Sequence, residues 1–423
     1  MKSQLLLFCI SVLLISSQCT SQKKEEPSKT SETAIHTKNY KNKSWPQYMG
    51  PAMDGKVKSK FIPKRKPKVT WEFKYEGGKP TPLVVDNGTT FFGTESKDIY
   101  AIDSIGNLKW KIKLDSKIKH SLLVSNHILV AAPDSTFVYG INAKNGKVIW
   151  KRDFSYEYKS YISDKKDMFG NAIVTDTAAY TINKKRTNET APLLRGDNVF
   201  ITLEKHMVAL DIKTGGTQYF FNANIGSGIP PLITENVIYV NDGHRNLYAH
   251  SKKNGDLKWK SKLYDLNEGK PFVYEDTLYV SSYSHLNKID KKTGKRLGIM
   301  AFSDSEKKYD IVDNGTHYLT ADGYHTHMGV NYGSYVKAFN LSSGEKIWSY
   351  NVEGKYITEL IMVGDYLYFG DSTGTVYILD KTTGEKFFSG YLEGAITDPL
   401  SYANGTIYGA YEKNKHFVIF ALN

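Results

Sequence analysis

The stretch from Thr81 to Leu114, TPLVVDNGTTFFGTESKDIYAIDSIGNLKWKIKL, holds four short apolar runs divided by turn residues. PLVV, TTFFG, DIYAID and LKWKIKL have strand length and β-branched or aromatic content, and none carries a helical period. Asn87-Gly88 and Gly106-Asn107 are tight-turn dipeptides between neighbouring runs. The stretch therefore reads as one four-stranded antiparallel unit.

The unit recurs. Glycines stand in the same context at Gly106, Gly146, Gly215, Gly255, Gly294, Gly344 and Gly384, and four residues after each come Trp110, Trp150, Tyr219, Trp259, Gly298, Trp348 and Phe388. The intervals are 40, 69, 40, 39, 50 and 40 residues. A period near 40 marks a repeat architecture, and four short strands per repeat make it a β-propeller. The first turn of the unit recurs at Asn126, Asp197, Asn236, Asp276, Asn314-Gly315, Asp365 and Asn404-Gly405, which makes eight turns in all. The last unit stops at FVIFALN, 417–423, before a fourth strand, and VTWEFKY, 69–75, matches the missing one. The expected fold is all-β: a single eight-bladed propeller of four-stranded antiparallel blades closed by the N-terminal strand, with seven blades the alternative if one unit is degenerate. Closure removes the open edges that an arc of blades would expose.

The chain has 423 residues, 56 Lys and Arg against 44 Asp and Glu, and only two cysteines, Cys9 and Cys19. Two cysteines inside the first nineteen residues exclude a disulfide framework. Lys2, an apolar run from Leu5 to Ile15 and then Ser16-Ser17-Gln18-Cys19 read as a signal peptide over 1–18. Cys19 stands where a bacterial lipoprotein carries its acylated (palmitate-bearing) cysteine, although Gln18 replaces the usual small residue before it. An ordinary cleaved signal with an incidental cysteine is the alternative. Residues 19–44, rich in Lys, Ser, Thr and Glu, are expected to be a lipid-anchored flexible tether, with the propeller over 45–423. QKKEE at 22–26 resembles the signal that sends some lipoproteins to the outer face of the outer membrane. The expected location is thus the outer membrane, with surface exposure and a periplasmic orientation both open.

The pattern in AIDSIGNLKW, ALDIKTGGTQY and ILDKTTGEKFF resembles the pyrroloquinoline-quinone-like propeller repeat, and WPQYMGPAMDG at 45–55 is similar to the leading segment of many such proteins. The resemblance covers about residues 45–423. It implies a quinone cofactor for the dehydrogenases of the family, which stack it on a Trp and a vicinal disulfide beside a calcium ion. No cysteine follows Cys19, and five of the six Trp fall at the repeat position or its N-terminal equivalent, leaving Trp45. No cofactor is therefore expected. Length, signal and ring resemble instead the noncatalytic lipoproteins of this fold, of the type of the propeller subunit of the outer-membrane barrel assembly machinery. That type implies a binding or scaffold role.

Strands of a blade alternate in direction, so loops after strands two and four share one face. The extra residues at 153–190, at ADGYHTHMGVNYG (321–333) and at EKNKH (412–416) all fall on that face. Long loops on a rigid scaffold are where binding concentrates. Starts of the inner strands ring the channel mouth on the same side and bring His120, Lys270, Lys308, Tyr309, Glu359 and Asp398 there, with solvated rim charges the plain alternative. Tyr324, His325 and His327 belong to the second insertion, and the two His, two apart on an extended segment, could face a metal together. Without a third ligand, no metal is expected. The sequence leads first to a noncatalytic scaffold for an envelope protein complex or an anionic polysaccharide, in the setting of polysaccharide utilisation, and excludes nucleic acid as a partner. The enzymatic alternative is a lyase or hydrolase on acidic glycan, with His120 or His325 as base, a Tyr as acid and Lys270 or Lys308 neutralising the substrate carboxylate.

Overall fold

The computed structural model describes residues 43–423 except 65, 167–171, 182–189, 204–205, 224, 226–227, 266–268, 283–284, 302–308, 322–325, 328–329, 332–333 and 353–355, with backbone only over 156–166, 172–181, 309–310, 321, 326–327 and 330–331. The repeats form eight antiparallel blades whose innermost strands are Val84–Asp86, Leu123–Ser125, Leu193–Arg195, Leu232–Ile233, Phe272–Tyr274, Tyr309–Asp313, Ile361–Val363 and Ser401–Ala403. Each blade runs outward from its inner strand by hairpins. In the eighth, Ser401–Ala403, Thr406–Lys413 and His416–Leu422 are completed by Val69–Tyr75, which pairs antiparallel with His416–Leu422 and sets Trp71 opposite Ala421. Lys68 and Asn423 exchange two backbone hydrogen bonds of 3.0 Å beyond that pair. The ring is closed by its N-terminal strand, as its sequence requires.

The Gly–Trp spacing is the seam between blades. Gly294 has φ of +73°, and a Cβ there would lie 2.6 Å from the Trp259 indole of the blade before it, so only glycine fits. The indole N–H then donates across the seam: Trp110 to Ala143 O at 3.1 Å, Trp150 to Ile212 O at 2.9 Å, and Trp348 to Lys381 O at 3.0 Å. Two seams differ from the sequence reading. Tyr219 holds the expected register opposite Ala209, yet Phe221, two residues on, covers Gly255, and Met300 covers Gly344 where Gly298 leaves no aromatic. Side chains two apart on a strand share a face, so a missing Trp is replaced from the next position on that face.

The Ala-x-Asp and Thr-Gly elements build the turn that presents this glycine. Asp211 Oδ1 accepts from the N–H groups of Lys213 (3.0 Å) and Thr214 (2.8 Å) and from the Thr214 hydroxyl (2.9 Å), and Asp290 repeats the arrangement with Lys292 and Thr293. These bonds, to Thr214 first, hold the Asp211 carboxyl below its ordinary range.

Candidate binding face and the plugged channel

The insertions emerge on one face, but not all as loops. Between the second and third blades, Tyr156–Lys166 pairs antiparallel with Ala172–Thr181 to make a long hairpin outside the blades. The insertion in the sixth blade contains the short pair Thr326–His327 and Val330–Asn331. At 412–416 the expected loop is a tight turn at Asn414 and Lys415, both at positive φ, joining two lengthened strands.

The channel is occupied by the chain itself. An inner strand turned toward an empty channel leaves unpaired N–H and C=O groups along its edge. Residues 44–57 meet such groups on the first, second, third, sixth and seventh blades, and the side chains of Arg195 and Lys270 reach the segment in between. Trp45 exchanges backbone bonds of 2.7 and 2.9 Å with Val85 of the first blade, and the Val124 N–H of the second donates to Pro46 O at 2.7 Å. Gln47 is buried; its Oε1 accepts from the Leu194 N–H of the third blade at 2.7 Å while its Nε2 donates to Pro51 O at 3.0 Å. Arg195 donates to Ala52 O at 2.9 Å and to Ile233 O of the fourth blade at 2.9 Å. Lys270, leading into the fifth blade, donates to Met53 O, and Lys56 donates to Val312 O of the sixth at 2.7 Å. Lys56–Val57 then runs parallel to the seventh blade's Ile361–Val363. Phe61 ends the circuit against Tyr402 of the eighth, ring centroids 5.9 Å apart.

The plug changes the meaning of the rim residues. Glu359 is 6% exposed rather than solvated; Tyr48 donates its hydroxyl to Oε1, and Oε2 has no hydrogen-bond partner among the described residues. Burial pushes the carboxyl up to about 7, against the Tyr48 bond, with Asp398 adding to the rise and Lys270 opposing it. Lys270 is drawn down to about 7 by burial and by Arg195, with Asp54 and Glu359 opposing. Asp398 is drawn into an ion pair with Lys79 at 3.3 Å. His120 is half-buried just before the second blade's inner strand. Tyr309 begins its inner strand, though its side chain lies outside the described residues, as do Lys308, Tyr324, His325, the His327 side chain and Cys19. The structure thus brings Lys270, Glu359 and Asp398 into one electrostatic group. A buried carboxyl and amine that titrate near neutrality resemble an acid–base pair, but each is held by a plug atom, so together they fasten the plug.

Sequence reasoning passed over Tyr48, Gln47 and Arg195. The signal was available in WPQYMGPAMDG, which lies outside the 40-residue period and holds the one Trp without a seam. Trp45 is 1% exposed, its ring packs against Gly50, and no cysteine pair exists after residue 19.

The family model described as outer membrane protein assembly factor BamB matches residues 64–181, 203–297 and 332–423. The chain belongs to this family. It is 24% identical over 245 residues to the tetrathionate hydrolase of Acidithiobacillus ferrooxidans, covering 54% of this chain and 46% of that protein. To BamB of Moranella endobia it is 22% identical over 264 residues, covering 58% and 63%. The chain therefore spans about half to under two thirds of the length of these curated relatives. BamB of Moraxella catarrhalis superposes with a TM-score of 0.60 at 17% identity, over 85% of this chain and all of the other, a likeness of fold.

Proposed function

We propose that this BamB-family chain is a noncatalytic scaffold of the outer membrane, held by a lipid on Cys19, which binds an envelope protein partner on its insertion face. The observation that carries the reading is the pairing of a channel filled by residues 44–57 with a hairpin, Tyr156–Lys166 and Ala172–Thr181, standing outside the blades. A self-filled channel leaves the faces and walls of the ring as the places to bind. A rigid ring with one long projection suits docking to another protein. Under this reading no quinone or metal takes part, and the relatives named for assembly of outer-membrane proteins are the nearer guide to role than the named hydrolase.

The test replaces 156–181 with a short Gly-Ser turn and compares binding to the purified barrel-assembly protein of the same cells. The scaffold reading expects the intact chain to bind and the shortened chain, folded to the same melting temperature, to lose at least tenfold in affinity. Equal binding by both chains, or none by either, would overturn it.

A further inference from the structure

We propose that the outer wall between the fourth and fifth blades is a binding groove for an acidic polysaccharide. The groove, about 540 Å³, is lined by Arg245, Lys260, Lys262, Tyr264 and Arg296. It lies on the wall of the ring, apart from the hairpin and the channel.

The charge of the groove follows from one change in the repeat. The first and fourth blades carry nearly the same outer strand, LKWKIK at Leu108–Lys113 and LKWKSK at Leu257–Lys262. In the first blade Asp98 stands opposite Lys113 and forms an ion pair of 3.1 Å with Lys111. In the fourth blade Asn246 stands opposite Lys262, and its amide turns away to Asp242 Oδ2 at 2.6 Å. The lysines keep their charge and lose their carboxylate. Lys260 extends over the Tyr248 ring, 5.1 Å from its centroid, and Lys260, Lys262 and Arg296 form no ion pair among the described residues. Among the described residues Arg245 pairs with Asp265, at 3.9 Å. Among the described residues four cations thus line one groove with one loose ion pair between them, the nearby Asp242 carboxylate being bonded to Asn246, whereas outer-strand Lys111 and Lys151 elsewhere are neutralised at 3.1 and 3.0 Å.

The groove is also built to keep its shape. The Leu263 N–H donates to Arg245 O at 2.7 Å, tying the floor to the rim. The Tyr264 N–H donates at 2.9 Å to Oδ1 of Asn287, which is fully buried and is itself anchored to Val280 O at 3.2 Å. Tyr264 is 50% exposed, and its ring meets His285 edge-on, with centroids 4.7 Å apart. Side chains of Lys260 and Lys262, two residues apart on a strand, stand about 7 Å from each other on one face. A pre-set row of cations ending in a fixed aromatic face matches a glycan with acidic sugars: carboxylates or sulfates meet the cations, and the C–H face of a ring stacks on Tyr264. A concave wall favours a polymer strand over a flat membrane, and the aromatic end favours sugar over a purely acidic peptide.

The test uses the full chain and titrates polygalacturonate, dextran sulfate, neutral dextran and vesicles of phosphatidylglycerol. Binding to either acidic polymer, weakening as salt rises, and none to neutral dextran is expected. Lys260→Glu with Lys262→Glu should weaken it at least tenfold, while the equally charged pair Lys147→Glu with Lys386→Glu, on exposed positions of other blades, changes it less than threefold. Tyr264→Ala should weaken binding of polygalacturonate at least threefold with an unchanged melting temperature. The proposal falls if neither acidic polymer binds, if the two charge-reversed pairs behave alike, or if only the vesicles bind.

Discussion

Glu359→Gln tests whether the plug is fastened through a buried, titrating carboxyl. Glutamine keeps the volume and an acceptor for the Tyr48 hydroxyl, and it removes the charge. The carboxyl moves from an ordinary 4.5 to about 7 on folding. A tenfold change in proton affinity is worth about 1.36 kcal/mol, so the gap corresponds to about 3 kcal/mol. The folded protein holds this proton more tightly than the unfolded chain. The group's contribution is therefore fully present below pH 4.5 and is lost as pH rises toward 7. For a ring of this size, with unfolding entropy of about 0.8 kcal/mol/K, the loss amounts to about 4 °C in Tm. Differential scanning calorimetry from pH 4.5 to 8 reads it directly. The intact protein should fall by about 4 °C relative to Glu359→Gln across that window. Profiles that stay parallel to within about 1 °C would refute the reasoning, since the carboxyl would then titrate alike in both states.

Gln47→Leu leaves the buried Leu194 N–H without its acceptor and should cost about 1–3 kcal/mol in chemical denaturation. Trp150 is buried and bonds across its seam, so Trp150→Ala should cost about 3–5 kcal/mol in the same assay. Gly294→Ala forces a Cβ onto Trp259 at positive φ and should cost about 2 kcal/mol or more. Gly298→Ala places its Cβ in open space and should be neutral or stabilise by up to about 1 kcal/mol. Matched thermal melts of these two glycine variants separate a seam glycine from a vacant aromatic position.

The ring was legible because its chemistry repeats. A glycine, the Trp four residues on and the Asp-Thr turn recur at one spacing, and each recurrence is one seam. Phe221 and Met300 escaped notice because a strand face can be refilled from two positions along, which a fixed offset does not register. The plug escaped for a different reason: it occurs once. Gln47 meets Leu194 across 147 residues, and no local pattern in either segment announces that bond. Alignment brought Lys270 and Glu359 to the channel. Their burial depends on what fills it, which the repeat pattern does not show, so they stand in the sequence as candidates of an open binding face. The groove was hidden in a single substitution within a repeat, Asn246 where the first blade has Asp98, visible only once register paired each with its lysine.

The seating of residues 44–61 also bears on the order in which such a chain is assembled. The central thread emerges before any of the blades that hold it. Its docking points then arrive in the order in which it meets them around the ring, from Val85 and Val124 through Leu194, Lys270 and Val312 to Met362 and Tyr402. Every docking point of the thread thus lies later in the chain than the thread itself, and the last hairpin takes its fourth strand, Val69–Tyr75, from before the first blade. The ring is gathered on its own cord and then tied off.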